Sequence, residues 1–280
     1  MRFILETPLT KIARKIVGDG IWPAVWKLHW ICPLFKKGLL SNPNHYRGIH
    51  LTSQVSKIIE RILTRIFITP YVQPLSLYGD NQFAYTKERG SRDALAYFVF
   101  SSLLAFTRGE KNAFYQADVA GAFDRVDSTI LINKCRRIGL HPKIIKVLVS
   151  WLRDRTAHIV AGGKKSELFA MTDMVFQGTV LGPLLWNIFF KDAGETIRTS
   201  GFKDLVFADD INGLRFYRAR AQKHFIGDDV KILQTKLHQW GATNRVSSDA
   251  SKESHHILFQ CDSSRSPFRL LGVRFDTKLV

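Results

Sequence analysis

Two short apolar runs that each end in carboxylates constrain this chain more than any other feature. Residues 113–124 read AFYQADVAGAFD: a strand-like stretch over 114–119 carries Asp118 near its end, Gly121 opens a loop, and Asp124 lies six residues beyond Asp118. The second run, Leu205-Val206-Phe207-Ala208, reads as a buried strand and ends in Asp209 and Asp210. Residues 205–216 therefore predict a hairpin with both acids at its tip. Side chains alternate across a strand, so only one of Asp209 and Asp210 shares the face of Asp118 unless the turn re-aims both. Taken singly, each of these acids is an ordinary turn residue.

The acids stand in a strongly basic chain, with 41 Lys plus Arg against 24 Asp plus Glu and a formal net charge of +17 over 280 residues. That balance points to a polyanionic partner, nucleic acid first, with a solubilising surface as the alternative. The cations are spread along the chain, which suits a folded groove better than a disordered arm. A 45% hydrophobic and 12% aromatic content excludes simple disorder. The length permits one large domain or two small ones sharing a cleft. Cys32, Cys135 and Cys261 are odd in number and form no CxxC pair, which argues for free thiols rather than a zinc ribbon or disulfide framework. No run reaches the roughly 18 apolar residues of a membrane span, and the apolar start Phe3-Ile4-Leu5 breaks at Glu6. An intracellular protein with no membrane partner is the expectation.

Periodicity supplies the rest of the outline. Leu51, Val55, Ile58, Ile59, Ile62, Leu63 and Ile66 recur at helical spacing, with Thr52 or Ser53 as cap and Pro70 as terminator. Further helices are predicted over 127–138 with Asp127 or Ser128 as cap, from Pro142 through Leu152, over 181–197, and from about 230 to 240. Strands are predicted at 157–160, within 168–175, at 255–260 and within 268–275, with a turn at Gly162-Gly163. Trp22, Trp26 and Trp30 recur every four residues, which predicts one face of a helix starting at Pro23; a stacking platform for single-stranded nucleic acid is the alternative. Strands and helices mixed without a regular βαβ period give an α+β fold class.

Carboxylates at two strand ends inside a basic protein suit hard Mg²⁺, which leaves coordination positions for substrate phosphates. Two ions about 4 Å apart can activate a 3′-hydroxyl and stabilise a pyrophosphate leaving group. The flanking residues extend this into a family pattern. Asp118-Val119-Ala120-Gly121-Ala122-Phe123-Asp124 resembles the first carboxylate motif of reverse transcriptases, and Phe207-Ala208-Asp209-Asp210 resembles their aromatic-x-Asp-Asp motif. Gln177-Gly178-Thr179-Val180-Leu181-Gly182-Pro183 resembles the Gln-Gly…Leu-Gly-Pro motif of the non-LTR (LINE-type) retrotransposon branch. Tyr46-Arg47-Gly48-Ile49-His50-Leu51-Thr52 and Asn81-Gln82-Phe83-Ala84-Tyr85 are similar to that branch's finger motifs; Trp240-Gly241 with Lys252, and Leu271-Gly272-Val273, are similar to its last palm motifs.

The resemblance spans about residues 26 to 278 and implies an RNA-directed DNA polymerase with right-hand fingers and palm, the palm built on an antiparallel sheet. It implies an N-terminal extension at 1–25, mainly fingers at 26–112, and mainly palm at 113–280 with finger-contributed segments. Asp118 and Asp209 would be metal ligands with Asp210 beside them, the Val119 carbonyl completing a site for two Mg²⁺ ions, with Mn²⁺ as a substitute. Phe123 would lie under the incoming sugar and exclude a ribose 2′-hydroxyl. Gln177 and Gly178 would lie beside the templating pair, Lys36 and Arg47 would grip the triphosphate, and Lys252 would be the general acid for pyrophosphate. An RNA template, a DNA primer and dNTPs are the implied partners, and the nucleus the implied compartment.

Some positions depart from the pattern. Phe176 stands where the family has Pro before Gln-Gly, Gly48 replaces the Pro of Arg-Pro-Ile, and His50 replaces its Ser. None of these removes a candidate metal ligand. The chain ends just after the last palm motif, so a thumb is expected to be absent. Two alternatives follow: a catalytically decayed nucleic-acid-binding remnant of a retroelement, and an RNA-synthesising polymerase of the same palm fold. Phe123 and Ala208 argue against the second.

Overall fold

A computed structural model describes residues 2–72, 81–172, 174–261 and 265–279. Of the predicted return strands within 168–175, Asp173 alone lies outside the described residues. In chain order the elements are helix α1 (Arg2–Asp19), strands β1 (Leu28–Phe35) and β2 (Tyr46–Leu51), helices α2 (Gln54–Leu63), α3 (Thr69–Val72) and α4 (Ser91–Thr107), and strand β3 (Glu110–Asp118). Helices α5 (Ser128–Arg137) and α6 (Pro142–Leu152) precede strands β4 (Arg155–Ala161), β5 (Lys164–Lys165) and β6 (Phe169–Met171). Helix α7 (Leu181–Thr199), strands β7 (Lys203–Phe207) and β8 (Asp210–Arg218), helix α8 (Lys223–Asn244) and strands β9 (Ser254–Leu258), β10 (Phe268–Leu270) and β11 (Val273–Phe275) follow. The α+β expectation is met. The chain divides into two compact units, Met1–Leu77 with Phe123–Phe189, and Tyr78–Ala122 with Phe190–Val280.

The first unit is built on a five-stranded mixed sheet. β1 pairs antiparallel with β2 and parallel with β4, which in turn pairs with β5 and β6. Local signals place its helices. Asp127 caps α5 by accepting from the Ile130 N–H at 2.9 Å, and Pro142 opens α6, where its missing N–H costs nothing. Ser53 caps α2. The helix does not end at Pro70, however. A π turn at Thr64–Ile68 follows α2, and the helical backbone continues through Pro70 in α3.

The tryptophan spacing is not helical. Trp22 is buried and meets Trp26 edge-on at 5.6 Å, Trp26 ends a short 3-10 turn (Ala24–Trp26), and Trp30 lies exposed on β1. Pairing with β2 and β4 draws this segment into a sheet, and the four-residue interval then carries no facial meaning.

The second unit carries a four-stranded antiparallel sheet in the order β7-β8-β3-β9. Phe114, Leu205, Leu214 and Leu258 join Phe83, Ala94, Phe98 and Phe268 in its core. The rings of Phe98 and Phe114 lie 4.6 Å apart. Val206 exchanges backbone hydrogen bonds with Asn81 and Phe83, at 2.9 Å each, so residues 81–83 extend the sheet beyond β7. Helix α8 is longer at both ends than its apolar period predicts, with Val230, Leu233, Leu237 and Trp240 on its buried side.

Candidate active site

The ladder of the second unit brings the acids together. β3 and β8 run in a register that sets Asp118 directly opposite Asp210, so these two share a face. β7 and β8 close at the pair Phe207–Asp210, leaving Ala208 and Asp209 as a two-residue loop. Ala208 adopts a left-handed φ of 57°, as a tight hairpin turn of the primed kind requires. The Val119 N–H donates to the Asp209 carbonyl at 3.2 Å, which ties the turn to the end of β3. The sequence places both acids at the tip; in the structure Asp209 is in the turn and Asp210 is the first residue of β8.

On the other edge of β3 the segment 247–252 runs alongside. Ala120 N–H donates to the Ser247 carbonyl at 2.9 Å and Asp249 N–H to the Asp118 carbonyl at 2.8 Å. These bonds flank Val119, so the pairing does not use the Val119 carbonyl. Gly241 makes this path possible, because a Cβ there would stand 2.7 Å from the Val246 carbonyl oxygen. The Lys252 N–H bonds the Asp249 carbonyl at 2.9 Å, and its ammonium forms an ion pair with the Asp118 carboxylate. The neighbouring Glu253 accepts from the Tyr115 hydroxyl and faces His238 Nε2 at 3.2 Å, which fixes the strand end that carries Lys252.

The electrostatics follow from this crowding. Burial first, then the charges of Asp209 and Asp118, push the Asp210 carboxyl up to about 7, against the pull of Lys252. Lys252 is raised as well: its hydrogen bond to Asp118 comes first, assisted against burial by the charges of Asp118, Asp249 and Asp209. The carboxylates of Asp118, Asp209, Asp210 and Asp249 and the Lys252 ammonium thus influence one another at the end of one sheet. Among the described residues no group of three or more His, Cys, Asp or Glu side chains is arranged to hold a metal ion. Mg²⁺ does not need one, because it binds through one or two carboxylates and completes its shell with phosphate oxygens and water. Carboxylates such as those of Asp118, Asp209 and Asp210 are the donor type that ion takes, and a cation beside them would offset the part of the Asp210 shift that comes from its acidic neighbours.

The other candidates belong to the first unit. Lys36 and Arg47 are exposed on the β1–β2 hairpin, where Lys36 N–H donates to the His45 carbonyl at 2.8 Å and Arg47 pairs with Leu34. Phe123 lies in a 3-10 turn (Ala122–Arg125), and its ring stacks on Trp186 of α7 at 5.3 Å. Its carbonyl accepts from Val175 N–H at 2.7 Å. Gln177 and Gly178 lie against β2: the Gln177 carbonyl accepts from His50 N–H at 2.9 Å. Gly178 has a φ of +100°, and a Cβ there would meet the His50 carbonyl oxygen at 2.8 Å. The acids, Val119 and Lys252 are thus one group, and Gln177 and Gly178 another with β2.

Two positioning residues were missed. Buried Gln82 accepts at Oε1 from Ala84 N–H at 3.0 Å and from Ala208 N–H at 3.4 Å, so it holds the turn before Asp209. Its motif, Asn81 to Tyr85, was the available signal. Glu60 is fully buried and accepts from the Val180 and Leu181 N–H groups at 2.8 and 3.1 Å, capping α7 just after Gln177-Gly178. An acid within the apolar run Ile58, Ile59, Ile62 was the clue.

Residues 35–275 match the family described as reverse transcriptase (RNA-dependent DNA polymerase). The chain is 29% identical over 291 aligned residues to the RNA-directed DNA polymerase from mobile element jockey of Drosophila melanogaster, covering 97% of this chain and 31% of that protein. It is 30% identical to the probable RNA-directed DNA polymerase from transposon BS of the same species, over 66% of this chain and 20% of that protein. The chain therefore spans less than a third of the length of these relatives. Its fold is similar to apo telomerase from Candida tropicalis truncated from the C-terminal domain, with a TM-score of 0.62 and 14% identity over 99% of this chain and 59% of that one. Telomerase from Candida albicans, solved in complex with a fragment of telomeric RNA, gives 0.59 and 12% over 96% of this chain and 48% of that one.

Proposed function

Given that the chain belongs to the reverse transcriptase family, we propose that it carries the nucleotidyl-transfer centre of an RNA-directed DNA polymerase of a non-LTR retrotransposon. The observation that carries the reading is the register that sets Asp210 opposite Asp118, with Asp209 in the adjoining turn and Lys252 on Asp118. Asp118 and Asp209, with Asp210 and the Val119 carbonyl, would hold two Mg²⁺ ions, whose chemistry when bound is to activate a primer 3′-hydroxyl and offset charge on the leaving pyrophosphate. Lys252 is an exposed ammonium paired with Asp118 beside those acids and supplies the proton for pyrophosphate. Before substrate enters, the same ammonium neutralises Asp118.

In this reading the other candidates keep their expected binding roles. Lys36 and Arg47 offer exposed cations for a triphosphate. Phe123, its ring held by Trp186, is a rigid wall for the sugar and selects deoxynucleotides. Gly178 brings the backbone close to a base pair because it has no side chain. Residues 26–112 are then mainly fingers and 113–280 mainly palm, the template is RNA, the primer DNA, and the compartment nuclear. Extension of a DNA primer on an RNA template with Mg²⁺ and dNTPs tests the reaction. Salt-sensitive binding without any extension would instead support the non-catalytic remnant. A Phe123→Ala variant should accept ribonucleotides that the unaltered chain rejects; equal use of both sugars by the unaltered chain would overturn the assignment of Phe123.

A further inference from the structure

The first unit contains a buried polar chain that the nucleotidyl-transfer reading does not use. Arg155, His29 and His50 are all almost completely buried, as are Trp151 and Phe176 beside them. Arg155 Nη1 contacts His29 Nε2, and His29 Nδ1 lies 2.9 Å from His50 Nδ1. The guanidinium lies 4.5 Å from the ring centres of both Trp151 and Phe176. Phe176 also meets His29 edge-on at 4.9 Å and His50 at 5.8 Å. Two of the departures from the family pattern, His50 and Phe176, are therefore neighbours in one cluster.

The hydrogen-bond direction can be deduced. A guanidinium has only donors, so His29 Nε2 must accept. Burial, then the Arg155 charge, hold His29 down to about 2 and His50 to about 4, so both rings are neutral at neutral pH. Neutral His29 then carries its proton on Nδ1 and donates to His50 Nδ1. His50 in turn carries its proton on Nε2. The chain runs one way, from Arg155 to His50.

Its end is the turn that precedes α7. The His50 N–H holds the Gln177 carbonyl, and the His50 carbonyl oxygen leaves no space for a side chain at residue 178. Phe176, packed on the same three side chains, immediately precedes Gln177. We propose that Arg155, His29 and His50, with Phe176, form a positioning relay that sets the Gln177-Gly178 turn for the incoming nucleotide; this rests on the polymerase reading above. The relay acts on nucleotide binding and leaves the chemistry at the acids untouched.

The test uses the full chain in three forms. The paired substitution His29→Leu with Arg155→Met removes the charge together with its partner, so no unpaired buried cation remains to unfold the protein. His29→Gln keeps one acceptor and one donor. In the paired variant, hydrogen exchange of peptides covering 174–182 should quicken about tenfold, and KM for dNTP should rise about tenfold with kcat nearly unchanged, as for the loss of one hydrogen bond to a charged group. His29→Gln should restore both towards the values of the unaltered chain. Unchanged exchange and KM in a folded paired variant, or a His29→Gln variant as impaired as the pair, would overturn the relay. If the unaltered chain extends no primer, the polymerase reading fails while the exchange measurement still decides the relay: faster exchange supports it as the device that holds the turn, and unchanged exchange rejects it.

Discussion

Replacing Asp210 by Asn should make the metal-free protein more stable at alkaline pH while removing a carboxylate that the reaction needs. Asp210 faces Asp118 across the ladder with Asp209 one residue away, and its carboxyl is raised from 3.8 to about 7. Ionising a group displaced by that much costs roughly 4 kcal/mol at 1.36 kcal/mol for each pH unit. Solvent contact at this half-buried position reduces the figure to about 2 kcal/mol. The folded chain binds this proton more tightly than the unfolded chain does. Stability from this group is therefore complete below about pH 4, falls as pH rises towards 7, and is lost above that. Urea unfolding followed by tryptophan fluorescence, in the presence of a chelator, measures the effect. Asp210→Asn should match the unaltered chain near pH 4 and exceed it by about 2 kcal/mol at pH 8. Millimolar Mg²⁺ should narrow the gap at pH 8 by stabilising the unaltered chain through binding. A difference that is independent of pH, or an Asn variant that is the less stable at pH 8, would refute the claim that burial and neighbouring negative charge hold the Asp210 carboxyl up.

Gln82→Leu removes the Oε1 acceptor used by the Ala84 N–H and by the Ala208 N–H of the Asp209 turn. It should cost about 1–3 kcal/mol in thermal or denaturant unfolding and lower kcat. Lys252→Ala removes an ion pair whose lysine side chain is 60% exposed, so unfolding should shift by less than about 1 kcal/mol. Single-turnover extension should nevertheless slow by about 10²-fold or more, as for loss of a general acid. Gly178→Ala forces a Cβ into a left-handed backbone against the His50 carbonyl. It should lower the unfolding midpoint in urea by the equivalent of about 2 kcal/mol and raise KM for dNTP.

The site was far more legible than the surroundings that hold it. Local rules are sufficient for a hairpin, so an apolar run ending in two acids located the β7–β8 turn from residues a few places apart. The caps Asp127 and Ser53 and the opening residue Pro142 were equally local. What the sequence could not display was pairing at a distance. Arg155 and His29 are 126 residues apart, and Glu60 and Val180 are 120 apart, so neither contact has a spacing to recognise. Residues 22–30 failed for the opposite reason. A helical interval between tryptophans was present, but strand pairing of β1 on both sides outweighed it. At Pro70, where an end was expected, the helical backbone continues from a π turn into α3. The alternation rule left open whether the turn re-aims both acids; that Asp210 is the one paired with Asp118 required the register.

Primer extension by the unaltered chain and by Asp209→Ala, side by side on one RNA template with dNTPs, tests the central claim most directly. The unaltered chain should add nucleotides in Mg²⁺ and stop when the ion is chelated, and Asp209→Ala should fall by at least about 10³-fold while still binding the primer–template. Undiminished extension by Asp209→Ala, or none by a folded unaltered chain that binds the duplex, would contradict it.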